Sequence, residues 1–193
     1  MKKTVLFLVL CSLYISCKSR MVYTDEIKVN LAIMFKQDQK LQTFDEKRFA
    51  DKNYIDSMRF EQDKLIRKNC DVAKKYLKKY AFPGLKENGK DACTNFWLIV
   101  QHSDHNVVFQ EEVLNAMAIQ YKRKNVITQN YAYLHDRVLK NKGEKLLYGT
   151  QVEWSTGKPL PLPLQYPDKV EEMRKSMGLV PLKDYLDSYT KNN

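Results

Sequence analysis

The residues best suited to chemistry lie in one short segment, WLIVQHSDHN at 97–106, where an apolar run changes into two histidines, an aspartate and an asparagine. Imidazole and carboxylate side chains are the usual general acids and bases of enzymes. Asp104 and Asn106 are also favoured N-cap types, so the start of a following helix explains both of them without any chemistry. Capping does not explain His102, which is therefore the first candidate for a general base.

Four polar residues interrupt the apolar stripes of the expected helices: Asp38, Asn69, His102 and Asp136. Each is expected to turn inward, and a buried polar group needs hydrogen-bond partners. One interpretation is a set of satisfied core residues, or a network that fixes how the helices pack. The other is that they converge on a functional site, in which Asp136 is the expected partner of His102.

The three histidines, His102, His105 and His135, resemble a metal-binding set only in outline. Their spacing lacks the H-E-x-x-H frame that places two ligands on one helical face. We therefore predict neither a metal nor a cofactor, and keep a divalent ion on His102, Asp104 and Asp136 as a variant of an enzymatic mechanism. The sequence also carries no glycine-rich phosphate loop, no G-x-S-x-G elbow and no Cys–His protease signature.

The elements that position these residues are mostly helical, because apolar residues recur with a helical period over most of the chain. The predicted fold is mostly α: a compact multi-helix domain over 25–193 with one small C-terminal β hairpin. Period-two alternation predicts the hairpin arms at 148–154 and 160–164, joined by a turn at 155–158. Helices are expected at about 25–41, 57–80, 92–101, from a cap at Asp104 or Asn106 to 121, from a cap at Thr128 to 142, and at 168–177 and 182–189.

The N-terminus predicts export. Lys2 and Lys3 precede an apolar run, Thr4 to Ser16, that is too short to span a bilayer, so residues 1–16 are typical of a secretory signal. The run ends in Tyr-Ile-Ser-Cys, which resembles a bacterial lipobox, so we expect Cys17 to be acylated and residues 17–24 to form a lipidated tether. The alternative is an uncleaved signal anchor. The expected location is the bacterial cell envelope, on its periplasmic or surface face.

Charge and cysteines narrow the classes of partner. The chain has 33 Lys and Arg against 23 Asp and Glu, a balance that would normally raise nucleic acid as a partner. Export excludes that reading and favours anionic lipid or an envelope polymer. The densest basic run, Lys74-Lys75 and Lys78-Lys79, falls on the outer side of a helix, where a plain solvated face explains it.

Cys70 and Cys93 match no zinc spacing, and the sequence leaves open whether they form a disulfide.

Two longer segments, WLIVQHSDHNVVFQ and NYAYLHDRVLKNKGEKLLYGTQ, resemble the hallmarks of a bacterial family, domain of unknown function 6624. The resemblance extends upstream to Asp38-Gln39, Asn69 and Phe82-Pro83-Gly84, and downstream to the leucine-proline arm and Gly178-Leu179. It carries no activity with it. What it implies is a set of residues that matter: Gln101, His102, Asp104, Asp136, Arg137, Tyr148, Gly149, Thr150 and Gln151.

Two functions from different classes fit these residues. The first is a binding module of the envelope that holds a polar ligand or partner. Its candidate ligand-binding residues are Gln101, Asp104, Arg137, Tyr148, Thr150, Gln151, Asp38 and Asn69. The second is a hydrolase in which His102 is the general base, Asp136 orients it, and Arg137 or Gln151 stabilises developing negative charge. The two differ in geometry, because the hydrolase requires Asp136 within hydrogen-bond reach of His102.

Overall fold

A computed structural model describes residues 22–43, 45–154 and 159–190. The chain is mostly helical, with one small antiparallel hairpin near the C-terminus, as the periodicity predicted. The predicted leader at 1–16 and Cys17 lie outside the described residues. The α-helices of the described part are α1 (Asp25–Gln42), α2 (Lys52–Tyr80), α3 (Leu85–Gln101), α4 (Val107–Lys122), α5 (Thr128–Asn141), α6 (Val170–Ser176) and α7 (Leu182–Thr190).

Helix α1 carries the first inward polar residue. Its start is fixed by Thr24, whose hydroxyl accepts from the backbone N–H of Ile27 at 3.3 Å. Ile27, Leu31 and Met34 then form one buried stripe, and Asp38 continues that stripe one turn later. The spacing of three and four residues therefore turns a carboxylate toward the neighbouring helices, as predicted.

Helices α2 and α3 both begin earlier than predicted. Helix α2 starts at Lys52 because Asp51 caps it, accepting from the backbone N–H of Tyr54 at 3.1 Å. Helix α3 starts at Leu85 and continues past a non-helical residue, Gly89, whose φ is +83°. Because a glycine breaks the helical backbone here, the apolar spacing of α3 does not extend back through its first turn, and the sequence predicted a later start.

The N-cap of α4 decides between two alternatives, and the N-cap of α5 corrects a prediction. Asn106, not Asp104, caps α4, and its side-chain oxygen accepts from Phe109 N–H at 3.1 Å. The predicted cap at Thr128 is wrong, because Ile127 holds the N-cap position of α5. The Thr128 hydroxyl instead donates to the carbonyl of Met177 at 2.8 Å and ties α5 to the end of α6.

The long helices run back and forth between two ends of the molecule. At one end, which we call the tether pole, the start of α1 meets the end of α2 and the start of α3: Tyr23 donates from its hydroxyl to Ala81 at 2.9 Å and from its backbone to Asn88 at 2.7 Å. The end of α4 lies there too, because Leu85 N–H donates to Asn125 at 3.1 Å. The ends of α1, α3 and α5 and the start of α4 form the opposite end, the site pole.

The hairpin is shorter than the alternation predicted. Strand β1 (Val152–Glu153) pairs antiparallel with β2 (Leu160–Pro161), and Val152 lies opposite Pro161. The predicted turn at 155–158 lies outside the described residues. Leu146 forms an isolated parallel bridge with Leu164, and the residues between Leu146 and β1 leave the ladder to wrap around a buried carboxylate.

Cys70 and Cys93 are free thiols in buried positions, so the disulfide that the sequence left open is not formed here. The Cys93 thiol donates to the carbonyl of Pro83, and burial raises its pKa to about 12. In the described part of the chain, none of the helices has the length and apolar character needed to cross a bilayer.

Candidate functional site

At the site pole, His102 pairs with Asp38. His102 follows the last residue of α3, and its Nδ1 lies 2.8 Å and 3.0 Å from the two carboxylate oxygens of Asp38 on α1. The Asp38 side chain is 3% exposed, whereas that of His102 is 21% exposed. A buried carboxylate therefore holds an imidazole that still reaches the surface.

This geometry fixes the tautomer of His102. An ionised carboxylate has no proton to donate, so Nδ1 must carry the hydrogen and donate it to Asp38. Gln42 Nε2 lies 3.5 Å from the same Nδ1, but two donors face each other there and make no hydrogen bond. In the neutral ring, Nε2 is left with its lone pair as an acceptor or a base.

Carboxamides surround this pair. Gln39 donates from Nε2 to Asp38 Oδ2 at 3.0 Å, and Gln62 on α2 donates to Gln42 Oε1 at 2.9 Å. Gln39 and Gln42 are exposed, and Gln62 is half-buried. Each carboxamide offers both donors and an acceptor without a net charge, so this rim can hydrogen-bond an uncharged polar molecule.

Two buried carboxamides, on α2 and at the end of α3, keep unpartnered atoms. Within the described residues, Asn69 Nδ2 and Gln101 Oε1 have no hydrogen-bond partner, although the two side chains are only 3% and 7% exposed. Gln101 directly precedes His102. Asn69 lies on α2 between two contacts with α1, Gln62–Gln42 and Tyr76–Asn30, which bracket the level of Asp38. A buried polar atom without a partner is costly, so both positions call for an explanation beyond packing.

Asp104 anchors a second polar cluster on the α5 side of the same pole. Arg137 on α5 binds it through two parallel hydrogen bonds, Nε to Oδ1 at 2.8 Å and Nη2 to Oδ2 at 2.6 Å, and donates from Nη1 to Gln151 at 2.9 Å. Asn141 also donates to Asp104, at 2.7 Å. Partial burial acts to raise the pKa of Asp104, but the hydrogen bonds and charge of Arg137 outweigh it, so the pKa lies below its ordinary value. Arg137 is thus already engaged by protein groups on all three of its nitrogens.

Asp136 does not pair with His102. Its carboxylate is fully buried and accepts from the backbone N–H groups of Leu147, Tyr148 and Thr150 at 2.8–3.2 Å, and from the Thr150 hydroxyl at 3.0 Å. The expected His102–Asp136 pair is therefore wrong. Adjacent residues of a helix point in different directions, so Arg137 reaches Asp104 while Asp136 does not. Among the described residues, the hydrogen bonds that Asp136 accepts all come from the loop after α5.

Arg174 holds the same loop from its other side. This 1%-exposed guanidinium donates to the carbonyls of Tyr148 at 2.6 Å, Gly149 at 3.3 Å and Val180 at 2.8 Å. Tyr148 and Thr150, predicted as ligand-binding residues, are buried parts of this loop. We call the loop 147–151 with Asp136 and Arg174 the clamped loop. Sequence reasoning missed Arg174, although its spacing of four residues from the buried Val170 was a usable signal.

Comparison with known proteins adds the family. Residues 26–191, most of the chain, match the model of a family described as "Family of unknown function (DUF6624)". The chain belongs to this family. No curated protein and no solved structure matches the chain.

The segments that resemble DUF6624 fall on both polar regions of this fold. Asp38 and His102 pair in the first, with Gln101 next to His102 in the chain and Asn69 on the neighbouring α2. Asp136, Tyr148, Gly149 and Thr150 build the clamped loop. Arg137 and Gln151 connect the two regions through Asp104. The candidate residues therefore form two linked regions, not one site.

The remaining histidines lie elsewhere. His105 is exposed, and burial lowers the pKa of His135, whose ring contacts the edges of Tyr131 and Tyr148. The structure does not bring His102, Asp104 and Asp136 together as the metal variant required. Over the described ranges, no group of three or more His, Cys, Asp or Glu residues is arranged to hold a metal ion.

A surface groove of about 450 Å³ lies beside the hairpin, between the end of α5 and the arms of the sheet. Its walls combine Lys140 and Lys145 with Glu144, Glu153 and the Leu162-Pro163 arm. None of the candidate site residues lines it, so the groove contributes nothing to the chemistry at His102.

Proposed function

We propose that this chain is a cell-envelope lipoprotein whose helical domain binds an uncharged polar ligand around His102. The observation that carries the binding part is the partly exposed imidazole held by Asp38, with exposed carboxamides around it. Two buried carboxamides of α2 and α3 with unpartnered atoms add to it. Such a site offers many directed hydrogen bonds and no uncompensated charge, which suits sugars, amides and similar molecules. Asp104 and Arg137 are paired through two hydrogen bonds, so they do not supply an unpaired charge to this site.

A thermal-shift screen with neutral sugars, N-acetylated amino sugars and small amides tests the binding part. A true ligand stabilises the folded chain by about 2.7 kcal/mol at a concentration one hundred times its Kd. We expect that stabilisation in the wild type and in His105→Ala, which removes an exposed histidine three residues away. We expect it to be lost in His102→Ala. A ligand that stabilises all three proteins equally binds elsewhere and overturns the proposal.

The lipoprotein part has its own test, because it depends on the leader and Cys17 alone. Intact mass measurement of the chain from the membrane fraction is expected to show acyl chains on Cys17. Cys17→Ala is expected to leave the chain without them. An unmodified residue 17 in the wild type overturns this part and leaves the ligand site untouched. Export would also keep the basic chain away from nucleic acid, which is not a proposed partner.

The Asp38–His102 geometry also favours a second candidate, a hydrolase with Asp38 in the role first given to Asp136. His102 Nε2 would take a proton from an attacking water, and Asp38 would stabilise the imidazolium that forms. As the bond to the leaving oxygen or nitrogen breaks, the imidazolium would return the proton to that atom. Asp38→Asn is then expected to lower turnover about 100-fold or more without preventing ligand binding. Hydrolysis of an ester, amide or glycoside by the wild type that survives unchanged in Asp38→Asn would rule this mechanism out.

A further inference from the structure

The tether pole carries a group of exposed cations that the proposed site does not use. We call this group the basic pole; it consists of Lys78, Lys79, Lys86, Lys90, Lys122, Arg123 and Lys124. The residues come from the end of α2, the start of α3 and the end of α4, which contact one another through Tyr23–Ala81 and Leu85–Asn125. The carboxylates at this pole are fewer: Asp25, Glu26, Glu87 and Asp91.

Helix electrostatics explain only part of this charge. Lys78, Lys79 and Lys122 lie in the last turns of α2 and α4, where the helix dipole favours cations. Lys86 lies in the first turn of α3, and Lys90 follows the break at Gly89, so both sit at helix starts where the dipole disfavours a cation. Lys86 Nζ donates to the carbonyl of Arg123 at 3.4 Å, at the end of α4, where the helix dipole favours a cation. The charge of Lys90 has no such explanation and is available to a partner outside the protein.

The place where the described domain begins points to the class of that partner. The described domain begins at Val22, five residues after Cys17, and five residues span at most about 17 Å when fully extended. A lipid at Cys17 would hold the tether pole close to the membrane surface, within two or three Debye lengths of the headgroups at physiological salt. Acyl anchors and basic patches commonly act together on anionic leaflets.

We propose that the basic pole docks on the anionic phospholipid surface of the membrane that holds the anchor, so that His102 faces away from that membrane. Helix α3 connects the two poles, and its 17 residues extend about 25 Å. The site would then stand clear of the headgroups and face the envelope space. This inference rests on the proposed lipid anchor and adds the orientation of the domain and the class of lipid.

Site-resolved lysine labelling of the full acylated chain tests the docking. The chain is reconstituted in vesicles of phosphatidylcholine with or without phosphatidylglycerol, and a water-soluble amine reagent is followed by mass spectrometry. We expect Lys86 and Lys90 to react several-fold more slowly when phosphatidylglycerol is present, and added salt to abolish the difference. Lys64 and Lys68, which are exposed on α2 near the site pole, are expected to react equally in both vesicles.

A pair of matched variants sharpens the test. Lys86→Glu with Lys90→Glu reverses two charges at helix starts, where glutamate is favoured, which offsets the loss of the exposed hydrogen bond from Lys86 to the Arg123 carbonyl. This variant is expected to lose the protection of Lys78 and Lys79, whereas the control, Lys64→Glu with Lys68→Glu, is expected to keep it.

Three results would overturn the docking proposal. The first is that Lys86 is labelled at the same rate in both kinds of vesicle. The second is that phosphatidylglycerol protects Lys64 and Lys68 as much as it protects Lys86. The third is that a soluble anionic polysaccharide, added to neutral vesicles, protects Lys86 as much as phosphatidylglycerol does. Labelling is measured only on chains whose intact mass shows that they are acylated. A chain without acyl groups overturns the anchor instead, so the two failures are distinguishable.

Discussion

Two buried aspartates in this molecule, Asp136 and Asp38, have opposite kinds of surroundings. Asp136 is 0% exposed and accepts from backbone N–H groups and one hydroxyl of a single loop. Asp38 is 3% exposed, yet its main partner is the ring of His102, which reaches solvent. Both occupy inward positions of amphipathic helices, so burial alone does not separate them.

The difference teaches that the partners of a buried charge indicate its role. A carboxylate whose acceptor sites are filled by backbone N–H groups organises the chain and has nothing left to offer a ligand. A carboxylate that holds one nitrogen of a partly exposed imidazole leaves the other ring nitrogen available to another molecule. The clamped loop is therefore structural, whereas the Asp38–His102 pair is the part of the polar residues that can still bind another molecule.

The largest expected effect is on stability at Asp136. Asp136→Ala leaves several buried backbone N–H groups without an acceptor, so we expect the free energy of unfolding to fall by about 3–5 kcal/mol. Asp38→Ala is the matched control, and since His102 can turn to solvent, we expect a loss of about 1 kcal/mol. Urea denaturation of both variants measures this. Equal losses would remove the distinction between the two carboxylates.

The second effect is at Arg174, on the opposite side of the clamped loop. Arg174→Met leaves the carbonyls of Tyr148 and Val180 without their buried donor, with an expected loss of about 2–3 kcal/mol. Arg123→Met, at an exposed position, is expected to change stability by less than about 0.5 kcal/mol. If the two variants unfold at the same urea concentration, the loop is not clamped from this side.

A third, smaller effect is expected at Gly149, where φ is +65°. An alanine there would cost about 1–2 kcal/mol for the left-handed backbone, and its Cβ would lie 3.1 Å from a methyl group of Leu182. Gly143 has φ of +72° but open space around it, so Gly143→Ala carries the backbone cost alone. Thermal unfolding is expected to show the greater loss at position 149. A greater loss at position 143 would contradict the close fit of the clamped loop.

The smallest effect concerns pH. Burial lowers the pKa of His135 below its ordinary 6.5, so the folded chain binds this proton less readily than the unfolded chain does. Stability at His135 is therefore complete above pH 6.5 and declines as pH falls below it, by at most about 1.4 kcal/mol per pH unit. Denaturation at pH 7 and pH 5 should show a smaller decline for His135→Gln than for the wild type. An unchanged decline would mean that another group is responsible.

The sequence was enough to predict the helical fold, the hairpin and the inward turn of Asp38 and Asp136, because these depend on periodicity along one chain. It could not predict which carboxylate meets His102, since that depends on how α1 and α5 are rotated about their axes against α3. Arg174 was hidden for a similar reason. It lies in a short helix rich in charged residues, and two of the three carbonyls that it satisfies come from a loop about 25 residues earlier.

Nitrogen NMR of the His102 ring tests the central claim most directly, because it detects which ring nitrogen carries the hydrogen that is donated to Asp38. In the neutral ring we predict the hydrogen on Nδ1 and a free lone pair on Nε2. Asp38→Asn is expected to shift the ring toward the Nε2–H form that is usual for histidine in water. A wild-type ring with its hydrogen on Nε2, unchanged by Asp38→Asn, would contradict the account of an imidazole prepared by Asp38 for a ligand.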